Sequence, residues 1–341
     1  MLRIDGSHGE GGGQILRTAV SLATALETSI EVYDIRANRP KPGLRPQHLS
    51  SIQSIANISQ AETSGLFLNS TKITFFPNKI ISQDMKIDIG TAGSIPLLLQ
   101  SLIQSICISG KTYNFSILGG TDVNWSPSAD YFRRLVIPIL KTLGFLVSIS
   151  IPKRGFFPRG NGQINLEIKS PKTLNALSLN NPAYEDITID SISTSDKKNF
   201  AQIQCKSAQK FLEKHGIYPN SINHSVCDSS SSGSVICISS CSDKSFIGSD
   251  ALTNNDITAE QLAILSSKKF LFEYNSNCTI DHHLADMVIP LLSLSKEPSA
   301  FLTSSISSHL QTNLEISKLL TGMTYKISRK NKFCYSVSIN P

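Results

Sequence analysis

The chain has 341 residues, 40% hydrophobic and 17% charged, with 32 Lys and Arg against 26 Asp and Glu for a net charge of +6. That length suggests about two domains, and that composition excludes disorder over most of the length. The modest positive excess permits a nucleic-acid partner without requiring one.

The longest apolar stretch, Ile95 to Ile108, contains Gln100 and Gln104 and falls short of the roughly 20 residues that span a bilayer. The N-terminus runs directly into Arg3, Asp5 and a glycine cluster, so no signal peptide is expected. Seven cysteines, an odd number with no C-x-x-C pair, read as reduced, mostly buried thiols in a cytoplasmic protein.

In chain order, Ile15, Leu16, Ala19, Leu22, Ala23 and Leu26 have helical spacing, and Ser29 to Ile35 alternates as a strand does. After a loop rich in Pro, Gly and Arg, a second helix carries Leu49, Ile52, Ile55 and Ala56. The pattern then returns. Ile95, Leu98, Leu99, Leu102, Ile103 and Ile106 predict a helix and Thr112 to Leu118 a strand. A Gly-Gly-Thr-Asp loop leads to a helix with Phe132, Leu135, Val136, Ile139 and Leu143. Gly13 to Pro46 and Ser94 to Pro127 are both intervals of 33 residues. A shorter third copy has a helix at Leu284 to Leu294, a strand at Ala300 to Thr303 and a helix at Leu310 to Leu320. Each unit reads as a strand pair with two helices on one face. The second ends in a strand at Gly162 to Ile168, the third in one at Tyr325 to Ile339. No such unit buries its helices alone, so the units must pack together.

Between Leu179 and Cys278 the pattern fails. That stretch predicts a strand at Ile187 to Ile192, a helix at Phe200 to His215, a Ser-rich turn at Ser229 to Gly233, a strand at Val235 to Ser239 and a helix at Thr258 to Phe270. The expected fold is α+β: three repeated two-helix/β-sheet units forming one large domain (1–182 and 280–341), with a smaller α+β domain inserted at 183–279.

Three clusters carry chemistry. Asp5-Gly-Ser-His-Gly-Glu-Gly-Gly-Gly-Gln14 opens the first helix, where glycines let a ligand approach the backbone and helix N–H groups favour anions. A flexible turn is the plainer alternative, and the run fits neither common nucleotide-binding glycine motif. Arg36 to His48 contains Arg36, Arg39, Lys41 and Arg45 and no acid. Three of the ten arginines fall there, which suggests bidentate phosphate recognition over a merely solvated loop. Arg154 to Gly162 reads equally as a turn or as a phosphate contact. Among the histidines, His8, His215 and His224 have no distinctive partners, His48 lies just inside a helix, and His282 and His283 open another. His309 follows four serines at the start of the last helix. The repeat aligns that helix start with Pro46-Gln47 and Pro127-Ser128, which places all three at one end of the repeated domain. On its own His309 reads equally as structural or as a ligand.

Together these segments resemble the RNA 3'-terminal phosphate cyclase family. The matching blocks are D-G-S-H-G-E-G-G-G-Q-I-L-R (5–17), I-R-A-N-R-P-K-P-G-L-R-P-Q-H-L (35–49), D-I-G-T-A-G-S (88–94) and G-G-T-D-V-N-W-S-P-S-A-D (119–130). R-G-F-F-P-R-G-N-G-Q-I (154–164), H-L-A-D (283–286) and S-H-L-Q-T-N (308–313) follow in order. Two positions depart from the family pattern: Asn161 stands in a glycine triplet, and Met287 where Gln is common.

The resemblance implies an enzyme that uses ATP and a divalent metal, Mg or Mn, to adenylate a histidine and release pyrophosphate. AMP then passes to an RNA 3'-phosphate, and the 2'-OH closes a 2',3'-cyclic phosphate. It makes His309 the nucleophile and Glu10 the metal-binding carboxylate. Arg17, Arg36, Arg39 and Gln47 match phosphate contacts. Gln100, Pro127, Tyr131, His283 and Asp286 match positions around the nucleotide, with Pro127 and His283 sandwiching the adenine. RNA with a 3'-phosphate end and ATP are the implied partners, with oligomers allowed. Two alternatives are a catalytically inactive cyclase-like protein acting in ribosomal RNA processing and an enolpyruvyl transferase. The retained His309 and Glu10 argue against the first. Three units with an insert, where those enzymes have six and none, argue against the second.

Overall fold

The computed structural model describes residues 1–9, 11–253 and 257–341. The chain forms a mixed α+β fold with four four-stranded sheets among these residues. The first segment comprises β1 (Leu2–Asp5), α1 (Gly13–Ala25), β2 (Ile30–Tyr33), α2 (Pro46–Ser59), β3 (Glu62–Ser64) and β4 (Ile73–Phe76). Its sheet runs β1-β2-β4-β3, with β1 and β2 parallel and the other pairs antiparallel.

The second segment follows the same succession. It comprises β5 (Asp84–Asp88), α3 (Ile95–Ile106) and β6 (Thr112–Gly119), then α4 (Ala129–Tyr131), which passes through a π-helical turn at Phe132–Val136 into α5 (Ile137–Thr142). β7 (Leu146–Lys153) and β8 (Gly162–Lys169) close it, in the order β5-β6-β8-β7. Next come β9 (Ser178–Leu179), β10 (Thr188–Thr194), α6 (Phe200–Lys214), β11 (Ser221–Cys227), β12 (Ser234–Cys241), β13 (Phe246–Leu252) and α7 (Ala259–Ser276). The last elements are α8 (His282–Leu292), β14 (Ser299–Thr303), α9 (Ser308–Thr321), β15 (Thr324–Asn331) and β16 (Cys334–Asn340). β9 returns to pair with β14 in the sheet β15-β16-β14-β9. The fourth sheet, β11-β10-β12-β13, draws all its strands from the intervening stretch.

Two expectations need correction. Each sheet has four strands where the sequence suggested a pair: β1, β3, β4 and β5 are only three to five residues long, and β7 has no fully buried position to mark an inner face. The final strand expected at Tyr325 to Ile339 is a hairpin of β15 and β16, paired from Thr324↔Asn340 to Asn331↔Cys334. β13 was also missed, because Gly248, Ser249 and Asp250 interrupt its apolar character. It is buried nevertheless: β10, β12 and β13 are covered on both faces, by α6 and α7 on one side and by the α4–π segment on the other. A strand covered on both faces loses the polar alternation that marks a half-exposed one.

The larger apolar core joins Ile15, Leu16 and Ala19 of α1, Leu98 and Leu102 of α3, Leu284 and Val288 of α8, and Leu310 and Leu314 of α9. A smaller core uses only residues between Ile187 and Cys278. All seven cysteines are thiols, five of them buried. No helix among the described residues is long and apolar enough to cross a membrane.

Helix starts are built from local chemistry, and they position the site. Ser94 accepts from the Leu97 N–H at 3.2 Å, and Ser128 from Tyr131 N–H at 3.1 Å. Asp281 accepts from the His283 and Leu284 N–H groups, both at 3.0 Å, and Ser307 from Leu310 N–H at 2.9 Å. Such caps satisfy donors that a helix leaves unpaired. α1 differs: its N-cap is Gly12, which has no side chain to supply a cap.

Candidate active site

The starts of α1, α2 and α9 converge on the glycine run. A Cβ on Gly13 would lie 2.2 Å from His48 Nε2 and 3.0 Å from Arg17 Nη1, and one on Gly12 would lie 3.1 Å from Arg39 Nη2. Only glycine lets the backbone come this close to a ring and two guanidinium groups. Asn38 Nδ2 donates to the Ser7 carbonyl at 3.2 Å, holding the basic loop against the run. Thr312 Oγ1 lies beside Gly9, 2.5 Å from where its Cβ would stand, so α9 closes the other side.

The cations are not equivalent. Arg17 is half-buried, and its Nη2 donates to Gln14 Oε1 at 2.9 Å. Burial lowers its pKa to about 10, which leaves it charged at neutral pH. Arg39 approaches the glycines directly. Arg36 has a left-handed backbone, φ 56°, and its Nη1 donates to the carbonyls of Lys41 and Gly43 at 2.8 and 3.0 Å. It thus braces the loop. Burial, then Arg45 and Arg39, depress its pKa.

His48, passed over as a site residue in the sequence, lies at the centre of this group. It is 9% exposed, and its Nδ1 accepts the Arg45 N–H at 3.2 Å. Nε2 therefore carries the proton in the neutral ring and points at Gly13. Burial, with Arg17, Arg36 and Arg45 nearby, pushes its pKa down to about 3. Beside it Gln47 keeps a buried side-chain nitrogen without a hydrogen-bond partner among the described residues. A buried unmet donor is costly unless a ligand meets it.

His309 is the second residue of α9, half-buried. Thr312 and Asn313 follow at i+3 and i+4 and so share its helix face. Asn313 is the junction: its Oδ1 accepts from Thr18 Oγ1 at 2.8 Å and Gln14 Nε2 at 3.2 Å, while its Nδ2 donates to the Asp286 carbonyl at 2.5 Å. It ties α1, α8 and α9 together. Ser307 Oγ, besides capping α9, donates to Asp286 Oδ1 at 2.6 Å. Just upstream, the buried hydroxyls of Thr303 and Ser304 have no hydrogen-bond partner among the described residues.

His283 stands on the exposed side of α8, its ring centroid 3.9 Å from that of His282. Partial desolvation of the ring, then the charges of His282, Lys269 and His309, lower its pKa. His282 Nδ1 pairs with Glu273 Oε1 at 2.5 Å. Pro127 is half-buried, immediately before the cap of α4. Tyr131 is 2% exposed, and its hydroxyl donates to Asp281 Oδ1 at 2.7 Å. It supports the α8 start from beneath. Gln100 lines a narrow apolar crevice with Val136, Leu284, Met287 and Leu291. Met287 thus turns its side chain into an apolar seam, which suits a thioether. Glu10 lies outside the described residues. Among the described residues no group of three or more His, Cys, Asp or Glu could hold a metal.

Three sequence readings resolve here. Arg154 is a structural cation: it is 7% exposed and pairs with Asp122 at 3.1 Å and Asp130 at 2.9 Å. His8 has a partner, Glu315 Oε2, at 2.5 Å; the pair is 307 residues apart in sequence, so no local pattern signals it. Asn161 occupies the left-handed region at φ 55°, as its tolerance for that conformation allows. Of the residues missed, Asp281 was legible as an N-cap acid before His282. The role of Asn313 depends on three helices and had no local signal.

The glycine run, a cluster of cations and a histidine near a helix start are thus brought to one place, a set of groups suited to anions. The chain matches the RNA 3'-terminal phosphate cyclase family over residues 8–327. It is 35% identical over 340 residues to an RNA 3'-terminal phosphate cyclase of Methanosarcina barkeri, covering 100% of both chains. It is 36% identical over 341 residues to one of Sulfurisphaera tokodaii, 98% of each chain, and 34% identical over 330 residues to one of Archaeoglobus fulgidus, 96% of this chain and 97% of the relative. The chain belongs to the RNA 3'-terminal phosphate cyclase family of enzymes.

Proposed function

We propose that this protein converts an RNA 3'-terminal phosphate to a 2',3'-cyclic phosphate at the expense of ATP. An imidazole nitrogen of His309 attacks the α-phosphorus of ATP, and the bond to the leaving pyrophosphate breaks. A 3'-phosphate oxygen of the RNA then displaces the imidazole and takes AMP. Finally the vicinal 2'-OH loses its proton, attacks the 3'-phosphorus and expels AMP. The retained His309 disfavours an inactive binding protein.

The observation that carries this reading is the placement of His309. Its helix face meets the glycine run of α1 across Thr312 and Asn313. At a helix N-terminus the macrodipole disfavours imidazolium and favours phosphate oxygens. Arg17, Arg39, the Nε2–H of His48 and the side-chain amide of Gln47 supply donors for a polyphosphate. Arg36 contributes through the shape of its loop. Asp286 fixes the α9 cap through Ser307, and Tyr131 fixes α8 through Asp281. Pro127, His283 and Gln100 border the place assigned to the adenosine. A divalent ion, Mg or Mn, would be carried on the nucleotide phosphates with Glu10 as its protein carboxylate, a mode such ions commonly adopt. It would offset phosphate charge.

The same reading makes the three β-α-β-α-β-β segments repeats of one catalytic domain, 1–182 with 280–341, and makes 183–279 an insert. The separate apolar core between Ile187 and Cys278 supports it. A cytoplasmic site of action fits an RNA substrate and seven thiols.

Labelled ATP and metal without RNA should yield protein-bound AMP on the peptide containing His309. His309→Ala should abolish it yet still convert a pre-made RNA-(3')pp(5')A end to the cyclic phosphate. An adenylate found on His48, His283 or a lysine would overturn the assignment.

A further inference from the structure

Trp125 is the chain's only tryptophan, and it is 99% exposed. Its backbone is left-handed, φ 66°, a conformation that bulky residues rarely adopt and that marks functional sites more often than chance. The loop displaying it is firmly held. Ser126 Oγ donates to the Val123 carbonyl at 2.8 Å, Ala129 N–H to Asp122 Oδ1 at 3.1 Å, and Ser128 N–H to Asp250 Oδ2 at 2.7 Å. A rigid loop therefore keeps a large aromatic face in water, against the hydrophobic effect.

A second exposed aromatic lies on the turn that pairs with this loop. The Thr121 and Asp122 N–H groups both donate to the Gly155 carbonyl, and Asp122 bridges Phe156 in parallel register. Phe156 points inward at 3% exposure, and Phe157 points outward at 70%. Val123, Asn124, Phe157 and Lys197 line one crevice of about 340 Å³. Exposed Arg159 follows Phe157 on the turn. The turn connects to the α2 start through the Ala92-Gly93 segment: a Cβ on Gly160 would lie 2.8 Å from Ala92 Cα, and one on Gly93 would lie 3.6 Å from Gln47 Cβ.

We propose that Trp125 and Phe157 form a stacking platform for the bases just upstream of the RNA 3' end, with Lys197 and Arg159 facing the intervening phosphates. Exposed aromatics interleaved with cations are how proteins hold single strands without reading sequence. A duplex end, whose bases are already stacked, would gain little. The proposal rests on the reading of the neighbouring pocket as one that activates an RNA 3'-phosphate, and its test separates the two.

Because no other tryptophan contributes, fluorescence excited at the red edge, where the eight tyrosines do not absorb, reports this position alone. A single-stranded oligoribonucleotide 3'-phosphate of about six nucleotides should quench it saturably, and a blunt duplex should do so much less. In steady-state cyclisation, Trp125→Ala should raise the KM for RNA about tenfold with a much smaller change in kcat. Trp125→Phe should recover most of the loss, and Phe157→Leu should weaken RNA in the same sense. An unquenched signal at saturating RNA, as expected if the aromatics instead serve a protein partner, would overturn the platform, as would an unmoved KM. Quenching by RNA in a protein that forms no AMP adduct would overturn the catalytic reading and leave the platform standing.

Discussion

His48 makes the cluster of glycines and arginines around it sensitive to acid in a calculable way. The ring is 9% exposed, accepts the Arg45 N–H through Nδ1 and is surrounded by Arg17, Arg36 and Arg45, so its pKa falls to about 3. In the unfolded chain a histidine titrates near 6.5. Its folded pKa is depressed, so the stability tied to the neutral ring is fully present above about pH 6.5 and is lost as pH falls toward 3. At pH 5 the unfolded state gains about 2 kcal/mol by binding a proton that the folded state refuses. His48→Asn keeps an acceptor where Nδ1 stands and removes the titration. Urea unfolding of both proteins at pH 7 and pH 5 isolates the effect, because other titrating groups cancel in the difference. Wild type should lose about 2 kcal/mol more than the variant over that interval. Parallel losses would show that the ring is hydrated or protonated in the folded state, and its Nε2–H could not then be assigned as a phosphate donor.

Arg154→Met should destabilise the fold by about 3–5 kcal/mol in urea unfolding, because Asp122 would be left a buried acid without its cation and Asp130 with Arg133 alone. A loss below about 1 kcal/mol would mean that water reaches the pair. Gly13→Ala should cost about 1–3 kcal/mol of stability, since its Cβ falls within the space of His48 Nε2; it should lower protein-AMP formation further still, read by label incorporation. Arg39→Lys keeps the charge and loses the fork, so cyclisation should fall at least about tenfold, whereas a loop that only carries charge would tolerate it. Asn313→Leu should destabilise by about 1–3 kcal/mol, because it leaves Thr18, Gln14 and the Asp286 carbonyl without their shared partner.

Local chemistry was legible wherever a residue acts through its own neighbourhood. The helix starts at Ser94, Ser128 and Ser307 follow from small polar caps before apolar periodicity. The glycine run and the arginine-rich loop announced themselves as one-sided in composition, and the structure brings them within contact. The repeat put the starts of α2 and α9 at one end of the domain, but what docks α9 against α1 was not legible. That depends on Asn313 reaching α1 and α8 at once, a contact spanning 299 residues to Gln14. The two readings of Arg154 could not be separated in sequence either, because Asp122 and Asp130 lie 32 and 24 residues away and only folding brings them to its guanidinium. β13 stayed hidden because its polar residues are satisfied inside the protein: Ser249 by Ser266, Asp250 by Ser128. Sequence periodicity records which side a segment turns to water. Where both faces are covered, or where a polar group finds its partner far along the chain, that record vanishes and tertiary packing decides.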